Sequence, residues 1–363
     1  MASVVVDERT ATTYSGLEYE GAWGSHTKEV QGILDSIPLA HRTLSSVYFK
    51  MRSTRAITLQ LTRHHFEAIR FQTFGDDGPA IPMPSKFAGW GVLMETLDTV
   101  AAAIQDFSPT AIIDMGAGCG RISFGLHVLG AVPAGTATIA AEYTAAGRGC
   151  IRTILEGLPL YSRPAITTVP FNYYGNLSHV RNAVKGHERI FVISCHSIGQ
   201  IPFLPPTFFR ELLSLAPKIR GFHIEPIGWQ IRADKDFENT ANRENWRQPA
   251  RLQVVPIPPG SHGVDMWLIS FLPPNMTRKP SATTIKRSDS GRYNNNLWQL
   301  LRQLEDDDML RIRMVRPNFR NFDRLGTTAS FIRWDSNGIS VIPRKAALTE
   351  LARDGYHCTM DIG

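Results

Sequence analysis

One short segment, residues 111–121, constrains the fold of this chain more than any other. An apolar run ends in Asp114, a glycine-rich loop follows, and residues 122–129 have the pattern of a helix start. The loop has glycine at every second position: Gly116, Gly118 and Gly120. Glycine has no Cβ, so its backbone turns tightly and lets a ligand approach closely. A strand, a glycine-rich loop and a helix in this order predict a nucleotide-type cradle at the carboxyl edge of a parallel sheet.

The spacing of these glycines argues against a phosphate ligand. A dinucleotide fingerprint has the form G-x-G-x-x-G, and a P-loop needs a Gly-Lys-Ser/Thr sequence; neither is present. The D-x-G-x-G-x-G pattern resembles motif I of the class I S-adenosylmethionine (SAM) dependent methyltransferases. This resemblance implies that SAM is the cofactor and that Gly116, Ala117 and Gly118 pass under its methionine part. The alternative is a glycine-rich turn that binds no ligand.

The chain after this loop alternates between apolar strands and helices, which predicts an α/β fold with a parallel sheet covered on both faces. Strands are predicted at 110–114, 136–142, 165–170, 189–194 and 219–225. Helices are predicted at 121–129, 145–156, about 205–215 and 294–304. The resemblance implies a mostly parallel sheet of seven strands with the last one antiparallel, and residues 310–315 and 329–334 fit strands six and seven.

Changes of pattern along the chain predict three regions. Residues 1–108 form a mainly helical N-terminal extension, which the resemblance implies to be a lid over the substrate. Residues 109–336 form the Rossmann-like SAM-binding domain, with an insertion at about 231–293 that contains two β-like runs, 252–257 and 266–271. Residues 337–363 form a C-terminal tail.

Composition narrows the class of protein. No run of about 18 apolar residues is present, so no membrane span is expected, and the first residues lack a signal-peptide pattern. The four cysteines lack C-x-x-C spacing, which argues against a disulfide framework or a zinc site and favours a reducing cytoplasm. No His/Asp cluster has metal-ligand spacing, so no metal is expected.

The net charge of +6 raises the question of a nucleic-acid partner. The basic residues are spread out, and no RNP1-like signature is present. A mildly basic, solvated surface is the simpler interpretation, and it would also attract an anionic small substrate. Nucleic acid is therefore not the expected partner, and the sequence is compatible with a homodimer.

Five side chains near the predicted strand ends are candidates for cofactor contacts. Glu142 ends the second strand, where the resemblance implies the acidic residue that binds the ribose of SAM; otherwise it is an exposed strand-end glutamate. Asp114 matches the acidic position near the methionine amino group, or it caps the following helix. Phe171 and Asn172 follow the third strand, where the resemblance implies contacts with adenine; a loop-forming asparagine is the alternative. Cys195 follows the fourth strand, beside the expected cofactor.

His196, His223 and Glu225 are the candidate catalytic residues. His196 follows the fourth strand, between the expected SAM and acceptor sites, and an imidazole with a pKa of about 6.5 can act as a general base at neutral pH. His223 and Glu225 lie two residues apart on the fifth strand, so their side chains share one face. Because unpaired charges are costly to bury, both are expected to emerge into the pocket. Structural roles are the alternative for all three.

These observations predict a SAM-dependent methyltransferase, an enzyme that transfers a methyl group in line to an oxygen or nitrogen atom of a small molecule. Catalysis would depend mainly on proximity and alignment. A secondary metabolite of natural product biosynthesis, a sugar-containing compound or a peptide would suit the expected lid and insertion. An RNA methyltransferase and a non-catalytic SAM- or nucleotide-binding protein are the alternatives.

Overall fold

The computed structural model describes residues 8–51, 97, 99–201, 203–225, 227, 230–231, 253–256, 267–270, 294, 296–322 and 327–337. Nearly all of the predicted C-terminal tail lies outside the described residues, as do most of the predicted insertion and much of the predicted N-terminal extension. Every candidate site residue lies inside the described part of the chain.

Seven of the nine described strands form one sheet, and the other two pair with each other. The strands in chain order are β1 (Ala111–Met115), β2 (Ala137–Glu142), β3 (Ile166–Pro170), β4 (Arg189–Cys195), β5 (Lys218–Glu225), β6 (Gln253–Pro256), β7 (Trp267–Ser270), β8 (Leu310–Phe322) and β9 (Thr327–Ser336). The sheet has the order β3-β2-β1-β4-β5-β9-β8. Strands β1 to β5 are mutually parallel, whereas β9 runs antiparallel to both of its neighbours, β5 and β8. The predicted fold class is confirmed, because the sheet is mostly parallel and its last strand is antiparallel.

The parallel strands form where apolar runs predict them. Every residue of β1 is buried, and alternate side chains enter two separate cores, with Ile112 in one and Ile113 in the other. A strand that is covered on both faces has an almost continuous apolar sequence. The buried acidic residues Asp114 and Glu142 interrupt this pattern at the carboxyl ends of β1 and β2. The carboxyl edge of the sheet, which carries these acidic side chains, is therefore the candidate location of the functional site.

Helices cover both faces of the sheet. They are α1 (Glu8–Asp35), α2 (Arg121–Val128), α3 (Ala145–Gly157), α4 (Ser178–Ala183), α5 (Phe208–Leu213) and α6 (Leu297–Asp306), and residues 44–51 and 99–107 are also helical. The first core is formed by α1, α2, α3 and residues from the segments 44–51 and 97–107. The second core, on the opposite face, contains side chains of α4, α5 and α6.

The described part of the N-terminal extension packs directly on the sheet domain. Val30, Leu34 and Ile104 enter the same core as α2 and α3. The Arg42 guanidinium donates hydrogen bonds to the carbonyl oxygens of Leu34 and Gly157, at 2.7 and 3.1 Å, and joins the ends of α1 and α3. That this helical region forms a substrate lid stays a prediction, as do the domain bounds.

Two described strands lie within the predicted insertion. β6 and β7 pair as an antiparallel ribbon apart from the main sheet, with Gln253 opposite Ser270. They fall inside the β-like runs predicted at 252–257 and 266–271. None of the described helices is long and apolar enough to cross a membrane.

Candidate functional site

The loop after β1 adopts a conformation that glycine favours. Its three glycines have φ angles of +68°, +57° and +78°, in the order Gly116, Gly118 and Gly120. These angles lie in the left-handed region, which side chains with a Cβ rarely enter. A Cβ at Gly116 would collide with the side chain of Ser197, and a Cβ at Gly118 would lie 2.8 Å from Cζ2 of Trp23. The alternating glycines therefore serve both the turn and the close approach of neighbouring groups.

Glu142 lies directly beside this loop, at the carboxyl end of β2. Its Oε2 accepts a hydrogen bond from the Gly118 N–H at 2.7 Å. Its Oε1 accepts from the N–H and the hydroxyl of Thr144, at 2.9 and 2.6 Å. The residue is 5% exposed, so it is not the exposed strand-end glutamate of the alternative interpretation. A carboxylate oxygen has two lone pairs, so among the described residues Oε2 keeps one acceptor position for a ligand hydroxyl.

Asp114 is held by the first turn of α2. Its Oδ2 accepts hydrogen bonds from the N–H and the hydroxyl of Ser123, at 3.2 and 2.7 Å. Burial raises the pKa of Asp114 to about 6, against the opposing effect of these two hydrogen bonds. The carboxylate satisfies a backbone N–H near the helix start, as in the capping alternative. A contact between Asp114 and the methionine amino group stays a prediction.

The segment after β3 is packed against its own neighbours. The Phe171 ring is 5% exposed and lies edge-on to Tyr173, with the ring centroids 4.7 Å apart. Asn172 Oδ1 accepts a hydrogen bond from the Tyr174 N–H at 3.0 Å, so its side chain closes the local turn. Adenine contacts by Phe171 and Asn172 stay predictions, and Asn172 would make them with its remaining hydrogen-bonding positions.

Arg121, Cys195 and His196 form a partly exposed group at the edge where β4 ends and α2 begins; we call it the Arg121 cluster. Arg121 Nη2 donates to Cys195 Sγ at 3.4 Å. Burial raises the pKa of the Cys195 thiol to about 11, so the thiol is neutral at pH 7. Burial, with a smaller effect of the Arg121 charge, lowers the pKa of His196 to about 4, so its imidazole is also neutral. His196 has a left-handed φ of +55°, which is uncommon for a residue with a Cβ.

Sequence reasoning did not single out Arg121, Trp23 or Glu20. Arg121 could have been noticed in the sequence, because it directly follows the third glycine and begins a helix, where a positive charge is unfavourable. Trp23 and Glu20 lie on α1, far from the loop in sequence, and no pattern in the chain links them to it. Trp23 packs against Gly118, and Glu20 Oε1 accepts from the Ala146 N–H at 2.8 Å. Helix α1 therefore reaches the loops that follow both β1 and β2.

The candidate pair on β5 does not emerge into a pocket, contrary to the expectation from the sequence. His223 is fully buried, with Trp334 Nε1 donating to its Nε2 at 2.8 Å and Ser194 Oγ lying 2.9 Å from its Nδ1. Glu225, also fully buried, accepts hydrogen bonds from the N–H groups of residues 197–199 at 2.8 to 3.2 Å. These partners satisfy both side chains inside the fold. We therefore propose no catalytic role for either residue.

Burial moves the pKa values of this pair in opposite directions, because a buried site penalises the charged form. It lowers the pKa of His223 to about 3 and raises that of Glu225 to about 7. Between about pH 6.5 and pH 3, His223 binds a proton in the unfolded chain but not in the folded chain. The stabilising contribution of His223 is therefore present above that window and is lost as the pH falls through it.

We expect the substitution His223→Gln to remove about one proton from the pH dependence of unfolding. Between about pH 6 and pH 4, the variant should lose about 1.4 kcal/mol less stability per pH unit than the unsubstituted protein. Urea unfolding at several pH values measures both slopes. The exposed His179, changed to glutamine, is the matched control for replacing a histidine. Equal slopes for the protein and for His223→Gln would contradict the buried, neutral histidine.

The candidate site lies where the order of strands in the sheet changes direction. From β1 the chain proceeds to β2 and β3 on one side and then crosses to β4 and β5 on the other. Ligands of open α/β sheets bind at such a switch point, outside the carboxyl ends of the strands. The glycine loop, Glu142 and the Arg121 cluster all lie at this edge. The fold is that of the class I SAM-dependent methyltransferases.

Comparison with known proteins yields structural likenesses at low sequence identity. No family model matches the chain, and no curated protein matches it. An O-methyltransferase from Bacillus cereus in complex with S-adenosylhomocysteine (SAH) is 11% identical, with 88% of this chain and 100% of that chain covered and a TM-score of 0.38. Magnesium protoporphyrin IX methyltransferase from Synechocystis PCC 6803 with bound SAM is 13% identical, with coverages of 77% and 96% and a TM-score of 0.36. The strand order establishes the fold independently of these likenesses.

Proposed function

We propose that this protein is a SAM-dependent methyltransferase that transfers a methyl group to an oxygen or nitrogen atom of a small molecule. One observation carries the proposal: the Glu142 carboxylate lies 2.7 Å from the Gly118 N–H, within a left-handed glycine loop at the switch point of the sheet. A carboxylate at the end of β2 can accept hydrogen bonds from ribose hydroxyls. The adjacent loop lets the rest of a nucleoside ligand approach the backbone closely.

The residues present fit SAM at Glu142, whose Oε2 keeps a lone pair for a ribose hydroxyl. The space that a Cβ of Gly118 would take is occupied by the Trp23 ring, so this ring lies beside the proposed cofactor. In this proposal residues 116–118 hold the methionine part of SAM, Glu142 holds the ribose and Asp114 lies near the methionine amino group. When bound, SAM supplies a methyl group on a positively charged sulfonium. The chain contributes mainly by holding the acceptor in line with that group.

The arrangement of α1 supports a small acceptor. Trp23 and Glu20 bring this helix across the loops that follow β1 and β2. A site covered by a helix suits a small molecule better than a nucleic-acid strand. The acceptor then approaches from the side of the Arg121 cluster, where His196 is neutral at pH 7. A secondary-metabolite, sugar or peptide acceptor, a cytoplasmic setting and a homodimer stay predictions.

We expect calorimetry to show that the protein binds SAM and SAH, and that Glu142→Ala binds SAH at least about tenfold more weakly. A hydrogen bond to a charged group contributes about 1.5–3 kcal/mol, which corresponds to this loss or more. The matched control is Glu156→Ala, which removes an exposed carboxylate from α3 and should leave the affinity unchanged.

Three results would separate the proposals. A well-folded protein that binds neither SAM nor SAH would overturn the proposed function and direct the search to other nucleotides. Binding of SAM without methyl transfer to any acceptor would favour the non-catalytic SAM-binding alternative. Steeply salt-dependent binding to RNA, with a linear log–log slope, would favour the RNA methyltransferase.

A further inference from the structure

Among the described residues, the Arg121 guanidinium makes no hydrogen bond or ion pair with a carboxylate, although burial raises the pKa of Asp114 and the Arg121 charge opposes this rise. Its Nη2 donates to the neutral thiol of Cys195, and its backbone carbonyl accepts from the Tyr48 hydroxyl at 3.1 Å. Arg220, by comparison, is paired with the carboxylates of Asp106 and Asp335. Arg121 is partly exposed, and a guanidinium has five N–H donors, so donors beyond the one that meets Cys195 are available to an anionic ligand.

The acidic side chains near Arg121 are already engaged elsewhere. Asp114 accepts from Ser123, and Glu142 accepts from Gly118 and Thr144. Glu225 accepts from three backbone N–H groups of residues 197–199. His196, the neighbouring titratable group, is neutral at pH 7. The Arg121 cluster itself therefore carries one positive charge, and the buried Asp114 carboxylate is a nearby acidic group that interacts with it.

We propose that Arg121 binds an anionic oxygen group of the methyl acceptor, so that the substrate class is a small molecule with an ionised carboxylate or phenolate. This inference rests on the proposed function. The planar guanidinium matches a carboxylate or an oxyanion through paired N–H donors. The positive cluster would repel an ammonium group. When this oxyanion is itself the group that is methylated, it has no proton to lose, and the neutral, weakly basic imidazole of His196 is then not needed as a base.

Three probes of one shape and different charge test this inference: benzoate, benzamide and benzamidinium. Each is titrated into the protein by calorimetry, with and without saturating SAH. We expect benzoate to bind at least about tenfold more tightly than the other two probes, as a charge-assisted hydrogen bond would give. Arg121→Gln should abolish this preference, whereas Arg121→Lys should keep part of it. Arg210→Gln, which removes an arginine from α5, is the matched control and should keep the preference in full.

The outcomes separate this inference from the proposed function. Equal binding of the three probes, absence of benzoate binding, or a preference that survives Arg121→Gln would overturn the role of Arg121. If Arg121→Gln instead weakens SAH while the SAH-loaded protein ignores benzoate, the carboxylate that Arg121 binds is that of SAM, and the inference about the acceptor is wrong. If the proposed function is wrong, the unsubstituted protein does not bind SAH. The titrations of the three probes without SAH still test the role of Arg121 in that case.

Discussion

The variant Gly118→Ala is expected to bind SAH at least about a hundredfold more weakly and to unfold with about 3 kcal/mol less free energy. Gly118 has a φ of +57°, where a Cβ costs about 1–2 kcal/mol. The added Cβ would also lie 2.8 Å from the Trp23 ring, and overpacking of this kind costs about 1–3 kcal/mol. A loop that shifts to relieve this strain in the free protein must return to the binding geometry when SAH binds, and a cost of about 3 kcal/mol at that step corresponds to roughly a hundredfold in Kd. Calorimetry with SAH and urea unfolding measure the two effects.

A matched glycine separates backbone strain from the collision. Gly130 has a φ of +64°, but a Cβ there would meet nothing within 4 Å. Gly130→Ala should therefore cost only the strain, about 1–2 kcal/mol, and leave SAH binding unchanged. Adding Trp23→Ala to Gly118→Ala should restore the part of the stability that the collision removes. If Gly118→Ala behaves like Gly130→Ala in both measurements, Trp23 does not cover the loop and the cradle is not a cofactor site.

Much of the fold can be predicted from sequence, because β1, β2, β4 and β5 are buried on both faces over most of their length. Apolar runs located β1 to β5 to within about two residues, and the glycine loop marked the carboxyl edge. The short helix α4, with six residues, escaped prediction because so few positions give no clear helical period. The expectation of seven strands with the last one antiparallel came from the resemblance to a known family.

The surroundings of the site could be predicted only in part. The alternation of side chains along β5 correctly places His223 and Glu225 on one face, but it does not identify their hydrogen-bond partners. Those partners come from β4, the turn after it and β9, and no local pattern reports such contacts. The contact between Trp23 and Gly118 could not be predicted for the same reason, because it depends on how α1 packs. Arg121 was visible in the sequence, but its lack of a described carboxylate partner appears only in three dimensions.

Trp334 shows how β9 completes the site's scaffold from a distance in sequence. Its ring is fully buried and lies over Gly221 of β5, where a Cβ would collide with the indole. Its Nε1–H is the donor that satisfies His223 Nε2. Since Nε2 accepts this bond, Nδ1 carries the proton and donates to Ser194, which fixes the histidine in one tautomer. Strands β4, β5 and β9 are thereby linked through one chain of hydrogen bonds.

Trp334→Ala is accordingly expected to lower the free energy of unfolding by about 5 kcal/mol. Truncation of a buried tryptophan costs about 3–5 kcal/mol through lost burial and the cavity left behind, and the unpaired Nε2 of His223 adds about 1–3 kcal/mol. Trp334→Phe keeps most of the ring and loses the donor, so it should cost about 2 kcal/mol. Urea unfolding followed by circular dichroism measures both. Variants that remain folded should still bind SAH, because Trp334 acts through the scaffold; loss of SAH binding in folded Trp334→Phe would instead return His223 to the functional site.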